Sequence, residues 1–224
     1  YYSEPESSLD GRAMDAARGR GLGGSSAING MVYVRGHARD FDEWESVGAA
    51  GWNYQNCLPY FQRAETWMHG GDDYRGGNGP LGTSNGNNRK NPIYQAFIDA
   101  GEQAGYGLTD DYNGYRQEGF GPMHMTVQDG VRASTRRAYL EPARSRPNLT
   151  IITGAEVDRL VVAEGIASAV VFTRHGVEQR VTARREIILS AGSIGSPSIL
   201  QRSGIGPASV LQQAGVRQVH ELAG

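Results

Sequence analysis

A single cysteine, Cys57, is present among the 224 residues. That excludes an intrachain disulfide framework and any CxxC metal or redox site, so Cys57 reads as a core residue in a reducing compartment. Long apolar runs are also missing. None approaches the roughly 20 residues needed to cross a bilayer, and the opening YYSEPESS lacks the features of a signal peptide. The expectation is a soluble, cytoplasmic chain, at most peripheral at the inner membrane. Charge of one sign is absent as well: Lys+Arg 22 against Asp+Glu 24 leaves a net charge of -2. Such a surface has no basic field to attract nucleic acid, and no nucleic-acid partner is expected. His37, His69, His124, His175 and His220 are isolated, form no Ser-His-Asp arrangement or metal-ligand spacing, and each reads as a solvated loop or turn residue. No metal site is expected.

Glycine is what the chain has in quantity. Its 32 residues are about twice the average share, with neither a collagen period nor a Gly/Ser linker run, so they belong to turns and close backbone approaches. The pattern divides near residue 148. Upstream, helical periodicity is expected over Asp40 to Val47, Tyr54 to Trp67, Pro92 to Ala104 and Ser134 to Ala143, between loops such as GGDDYRGGNGPLGTSNGNN and DDYNGYRQEGFGPM. Arg39-Asp40 and Asp42-Glu45 read as a solvated helix face. Asp72-Asp73 and Asp110-Asp111 read as loop caps whose charge could steer a cationic substrate. Downstream the period becomes two. Short strands are expected at Leu149 to Thr153, Val157 to Val162, Ala169 to Thr173, Gln179 to Thr182 and Ile187 to Ser190, with turns at Gly165 and His175-Gly176.

Gly19, Gly21 and Gly24 match the spacing G-x-G-x-x-G, yet the preceding LDGRAMDAAR has no Val or Ile and scatters Asp10, Arg12, Asp15 and Arg18 through a would-be strand. A dinucleotide fingerprint needs a buried strand there, so the match is misleading. A helix is instead expected to begin at Ser25-Ser26 and offer its N-terminus to an anion; a plain Gly-rich turn with a serine cap is the competing reading. REIILSAG does end in a turn at Ala191-Gly192, with Ser193 or Ser196 as helix cap and Pro197 in the first turn.

GRGLGGSSAINGMVYVRG (residues 19 to 36) and LSAGSIGSPSILQRSGIGP (189 to 207), in this order, resemble the two signature segments of the glucose-methanol-choline (GMC) flavoprotein oxidoreductases. SEPE at Ser3 to Glu6, the Trp44 helix, DDYRGG, DDYNGYRQEGFGPM, RASTRRAYL and SRPNLTI extend the resemblance along essentially the whole chain, and look most like its choline dehydrogenase branch.

The resemblance implies an α/β fold: part of a doubly wound FAD-binding domain with a β-meander, beside part of a substrate-binding domain. Residues 1-36 would be an FAD-domain segment, 37-148 a helical and loop segment on the substrate side, and 149-224 the meander and last FAD-domain strand. By the same resemblance, Gly23, Gly24 and Ser25 would lie against the flavin and its diphosphate, and Asn29, Gly30, Met31 and Val32 along the isoalloxazine ring. Val157 would meet the adenine, and Ala191 and Gly192 would pass close to the cofactor. The plainer alternatives are a helix-surface or turn asparagine for Asn29, an inward strand residue for Val157, and a tight turn for Ala191-Gly192. Some family oxidases attach FAD through a histidine where this chain has Ile28, so FAD is expected to be non-covalent. The family's true G-x-G-x-x-G unit and its C-terminal catalytic histidine find no match here. The chain thus reads as an internal piece with no catalytic residue of its own, inactive alone. In the intact protein the implied activity is oxidation of a small primary alcohol, choline to betaine aldehyde toward glycine betaine, with a separate electron acceptor. Another primary alcohol, or a non-catalytic module, is the alternative. Open sheet edges would call for a homo-oligomer or a complementing chain to cover them.

Overall fold

Helix α1 (Ala38–Ser46) starts where His37 and Asp40 cap each other: the His37 side chain accepts from the Arg39 N–H at 3.1 Å, and the Asp40 carboxylate accepts from the His37 N–H at 2.8 Å. In the computed structural model the described residues are 1–86 and 90–223. They divide into two compact units, Tyr1–Leu149 and Thr150–Gly224. Asn87 and Asn88, the end of the first expected loop, lie outside the described residues.

In the first unit, helix α2 (Tyr54–Ala64) is capped by Asn53 and packs its Phe61 against buried Phe41 of α1, ring centroids 5.5 Å apart. Trp44 and Tyr54 complete that aromatic cluster at 5.3 and 6.1 Å from Phe41. The expected solvated face of α1 is partly a connector: Asp42 accepts from the Tyr54 N–H at 3.0 Å, and Glu45 from the Asn53 amide at 2.9 and 3.0 Å. Cys57, expected in the core, is half-buried on α2.

The helix expected to reach Trp67 ends at Ala64 because Glu65–Trp67 form strand β1, paired in parallel with β2 (Leu81–Thr83). The glycine loop between them makes this pairing possible: a Cβ on Gly76 would stand 1.9 Å from the Gln62 carbonyl oxygen. Beyond β2, Met125 bridges to both Ser84 and Val32, so the extended segment after residue 31 joins the same small ladder. Helix α3 (Pro92–Gln103) forms as expected, with Pro92 in its first turn and Asn91 accepting from the Ile93 N–H. Hairpin β3–β4 (Val127–Gln128, Val131–Arg132) turns at Asp129 and Gly130, both at positive φ. A π-helical turn at Arg136–Leu140 runs into α4 (Glu141–Ala143).

The second unit carries the meander β5 (Ala155–Ala163), β6 (Ile166–Arg174) and β7 (Val177–Thr182). Glu164-Gly165 and His175-Gly176 all have positive φ, the geometry of two-residue hairpin turns whose twist matches the strands. Ala169, Val171 and Phe172 of β6 are buried, Phe172 on the face opposite the other two, and Ile199 of helix α5 (Gly192–Arg202) is buried too. The Ser203 hydroxyl ties α5 to β5, accepting from the Leu160 N–H at 2.8 Å and donating to the Ile199 carbonyl at 2.6 Å. A short parallel pair, β8 (Ile205–Gly206) with β9 (His220–Glu221), flanks α6 (Ala208–Gln213).

Two expected strands do not form. Residues 149 to 153 and 187 to 190 have no ladder among the described residues, and Ile188 is 80% exposed. An apolar, β-branched run becomes a strand only beside a neighbour that takes its hydrogen bonds, and no described strand pairs with either. The architecture is mixed α/β, and no described helix is long and apolar enough to cross a membrane.

Candidate functional site

The glycine turn is built by exclusion of side chains. A Cβ on Gly19 would lie 2.2 Å from the Gly24 carbonyl oxygen, and the Gly19 N–H donates to the Ser25 hydroxyl at 3.0 Å. Gly23 and Gly24 take φ of +94° and +50°, open to glycine without strain. The helix expected at the serines is a single 3-10 turn, Gly24–Ala27. It stops because Asn29 offers the backbone a competing partner: its Oδ1 accepts from the Met31 N–H at 3.2 Å, and Met31 itself sits at φ +64°. A four-residue turn has a far smaller dipole than the helix expected there, so any anion at it is met by single backbone N–H groups. Ser26 moors the turn instead, donating to the Gly23 carbonyl and accepting from the Thr135 N–H at 2.9 Å.

Arg132, on β4, holds the other end. Its Nη1 donates to the Asn29 carbonyl at 2.7 Å, the Asn29 Oδ1 at 2.8 Å and the Ser26 carbonyl at 3.2 Å. Arg132 and Met31 both line a cleft of about 900 Å³, together with Met68, Met125, Thr66 and Thr83. Gly30 and Val32 flank Met31 on an exposed surface, with Val32 48% exposed.

Behind β1 and β2 lies a buried charge network absent from the sequence reading. Glu65, fully buried, accepts from Arg35 at 2.7 Å, from Arg75 at 2.5 Å and from the Thr83 hydroxyl at 2.5 Å. Arg75 also reaches both oxygens of Asp111 at 2.8 Å and stacks over the Trp67 ring at 3.9 Å. Burial alone would raise the Glu65 pKa, but the hydrogen bonds of Arg75 and Thr83 and the two guanidinium charges outweigh it and hold it below the usual carboxylate range.

His124 corrects the expectation of a solvated histidine: it is fully buried between the rings of Tyr112 and Trp67, at 4.5 and 4.6 Å. Its Nδ1 faces the donors Arg75 Nη1 at 3.3 Å and Asn113 Nδ2 at 3.2 Å, so the neutral ring accepts there and carries its proton on Nε2. Burial lowers its pKa to about 4, the Asp111 charge opposing this and the Arg75 charge adding to it. Asp111, read as a loop cap, does accept from the Asn113 N–H at 2.8 Å, but its charge is spent on Arg75 rather than on solvent. Asp72 caps its own loop through the N–H groups of Tyr74 and Arg75. A Gly-rich loop has no period from which burial can be read, which is why the Arg75–Asp111 pair and the burial of His124 are not legible in the sequence.

In the second unit, Val157 pairs with Phe172 next to a register shift in β5, and its carbonyl accepts from Arg202 at 3.2 Å. Ala191 is the N-cap of α5, Gly192 is at φ +85°, and no side chain caps the helix. Ser196, an expected cap, reaches back to accept from the Ala191 N–H at 2.9 Å, and Pro197 lies inside the helix rather than in its first turn.

Comparison with known proteins names the family. The sequence profile of the GMC oxidoreductases matches residues 6–217. Oxygen-dependent choline dehydrogenases of Photobacterium profundum and Vibrio vulnificus are each 59% identical over the whole of this chain, which spans 40% of their length. Among solved structures, pyridoxine 4-oxidase from Mesorbium loti superposes with a TM-score of 0.91 at 36% identity, over 100% of this chain and 44% of that one. An FAD-dependent oxidoreductase from Chaetomium thermophilum gives 0.91 at 29% identity, over 99% of this chain and 41% of that one. With its profile match and its choline dehydrogenase relatives, this chain belongs to the GMC oxidoreductase family.

Proposed function

We propose that the chain is the FAD-binding part of an enzyme that oxidises a small primary alcohol, choline foremost, and passes the electrons to a separate acceptor. The observation that carries the substrate is the 59% identity to choline dehydrogenases along the full chain. GMC oxidoreductases are FAD-dependent, and their N-terminal domain is the FAD-binding part.

The residues fit a flavin by their chemistry. Beyond the Cα atoms of Gly24, Gly30 and Gly192 there is open space where a side chain would otherwise stand. Half-buried Met31 and exposed Val32 offer an apolar surface suited to a flat ring, and Asn29 has a side-chain NH2 for a ring acceptor. In the proposed roles Gly23, Gly24 and Ser25 border the diphosphate and ring, Asn29 to Val32 follow the isoalloxazine, Val157 meets the adenine, and Ala191 and Gly192 give the cofactor backbone clearance. When bound, FAD supplies the hydride acceptor for the alcohol carbon. The chain's own contribution is to bind, orient and keep water from the ring. At Ile28 an alkyl side chain stands where covalent relatives carry a histidine, so the flavin is held without a bond. Asp111 is paired with Arg75, so its own charge adds little to the steering of a cationic alcohol.

A second reading, oxidation of another primary alcohol, draws on the 36% identity to pyridoxine 4-oxidase. Flavin bleaching by a panel of alcohols in the full-length protein separates the two. Reduction by choline at low concentration supports the first, and reduction only by other alcohols replaces it with the second.

A further inference from the structure

We infer that Arg132 is a positioning residue: it fixes the Asn29 side-chain amide so that its oxygen is spent within the turn and its NH2 is presented as a donor to a ligand beside the cleft. The ligand part rests on the flavin reading above; the positioning part does not. Asn29 Oδ1 receives two donors, the Met31 N–H at 3.2 Å and Arg132 Nη1 at 2.8 Å. A flipped amide would press NH2 hydrogens against both, so only one orientation is stable. The same Nη1 reaches the Asn29 and Ser26 carbonyls, joining both ends of the 26 to 29 turn to one guanidinium.

Arg132 is itself placed by the β3–β4 hairpin, where it pairs with Val127. No carboxylate among the described residues forms an ion pair with it, so its charge is met by neutral oxygens on the wall of the cleft. An outward amide donor beside a lasting positive charge suits a planar heteroaromatic ring with acceptor atoms, above all one that gains negative charge on reduction.

The test uses the full-length protein and two variants. Asn29→Asp keeps Oδ1 and both of its donors and adds an ion pair with Arg132, but removes the NH2. It is expected to hold or raise Tm, to weaken FAD binding about tenfold, the effect of one lost hydrogen bond of ordinary strength, and to lower the flavin midpoint potential. An Asn29→Asp protein with wild-type FAD affinity and potential overturns the donor role. Arg132→Ala frees the amide, which is read without any flavin. In the Asn29-Gly30 dipeptide the Gly30 nitrogen can attack the Asn29 Cγ and expel ammonia, and hydrolysis of the ring gives Asp or isoAsp. Deamidation of Asn29, followed by peptide mass, is expected to accelerate several-fold in Arg132→Ala and to slow again with added guanidinium ion. An unchanged rate overturns the positioning role. If deamidation accelerates while the wild-type protein binds no flavin, the positioning stands and the flavin reading falls.

Discussion

Glu65 is where a single side chain matters most. Two buried guanidiniums, Arg35 and Arg75, depend on it, and neither has enough other acceptors to replace it. Removing one partner of a buried pair leaves uncompensated charge, so Glu65→Gln is expected to cost about 3–5 kcal/mol in urea unfolding. A cost below about 1 kcal/mol would mean that the network is solvated. His124 makes a second residue-level prediction. Its folded pKa of about 4 lies below the ordinary histidine value of 6.5. As pH falls through this window the unfolded chain takes up a proton that the folded chain refuses, so stability present above about pH 6.5 is lost on the way to pH 4, by roughly 3 kcal/mol. Unfolding midpoints at pH 7 and 4.5 should differ less in His124→Gln than in wild type. Equal differences would contradict the buried neutral ring.

At the scale of elements, α3 shows how packing overrides propensity. Gly101 is buried in that helix, where alanine would ordinarily gain about 1 kcal/mol. A Cβ there would come within 2.5 Å of the Phe120 ring, which Phe97 and Tyr106 confine at centroid distances of 5.2 and 5.5 Å. Overpacking costs typically 1–3 kcal/mol, so Gly101→Ala is expected to lower Tm despite its better propensity. A higher Tm would mean that Phe120 moves aside freely. Elements with local signals were legible in the sequence: α1, α3 and the three meander strands follow from caps, period and turn residues. The failures share one cause. The helix at Ser25, the strand at residues 187 to 190 and the tail of α2 were judged by local pattern, whereas Asn29, the absence of a ladder neighbour and the pull of β2 on Glu65–Trp67 decided them.

For the whole molecule, family and cofactor class were legible because the two glycine-rich signatures are long and ungapped, and the profile match over residues 6–217 agrees with them. The Arg35–Glu65–Arg75–Asp111 network was not, since its members come from four separate segments and only the folded chain assembles them. Arg132 stayed hidden for the same reason: 103 residues separate it from the amide it holds. The chain spans 40% of its choline dehydrogenase relatives, so the account of catalysis belongs to the full-length protein. The central claim is that the chain holds FAD without a covalent bond. Its most direct test is the visible spectrum of full-length protein after gel filtration with FAD, followed by acid precipitation. The account predicts a flavin band that elutes with the native protein and moves wholly to the supernatant in acid. A colourless protein would contradict the cofactor assignment, and flavin retained in the pellet would contradict the reading of Ile28.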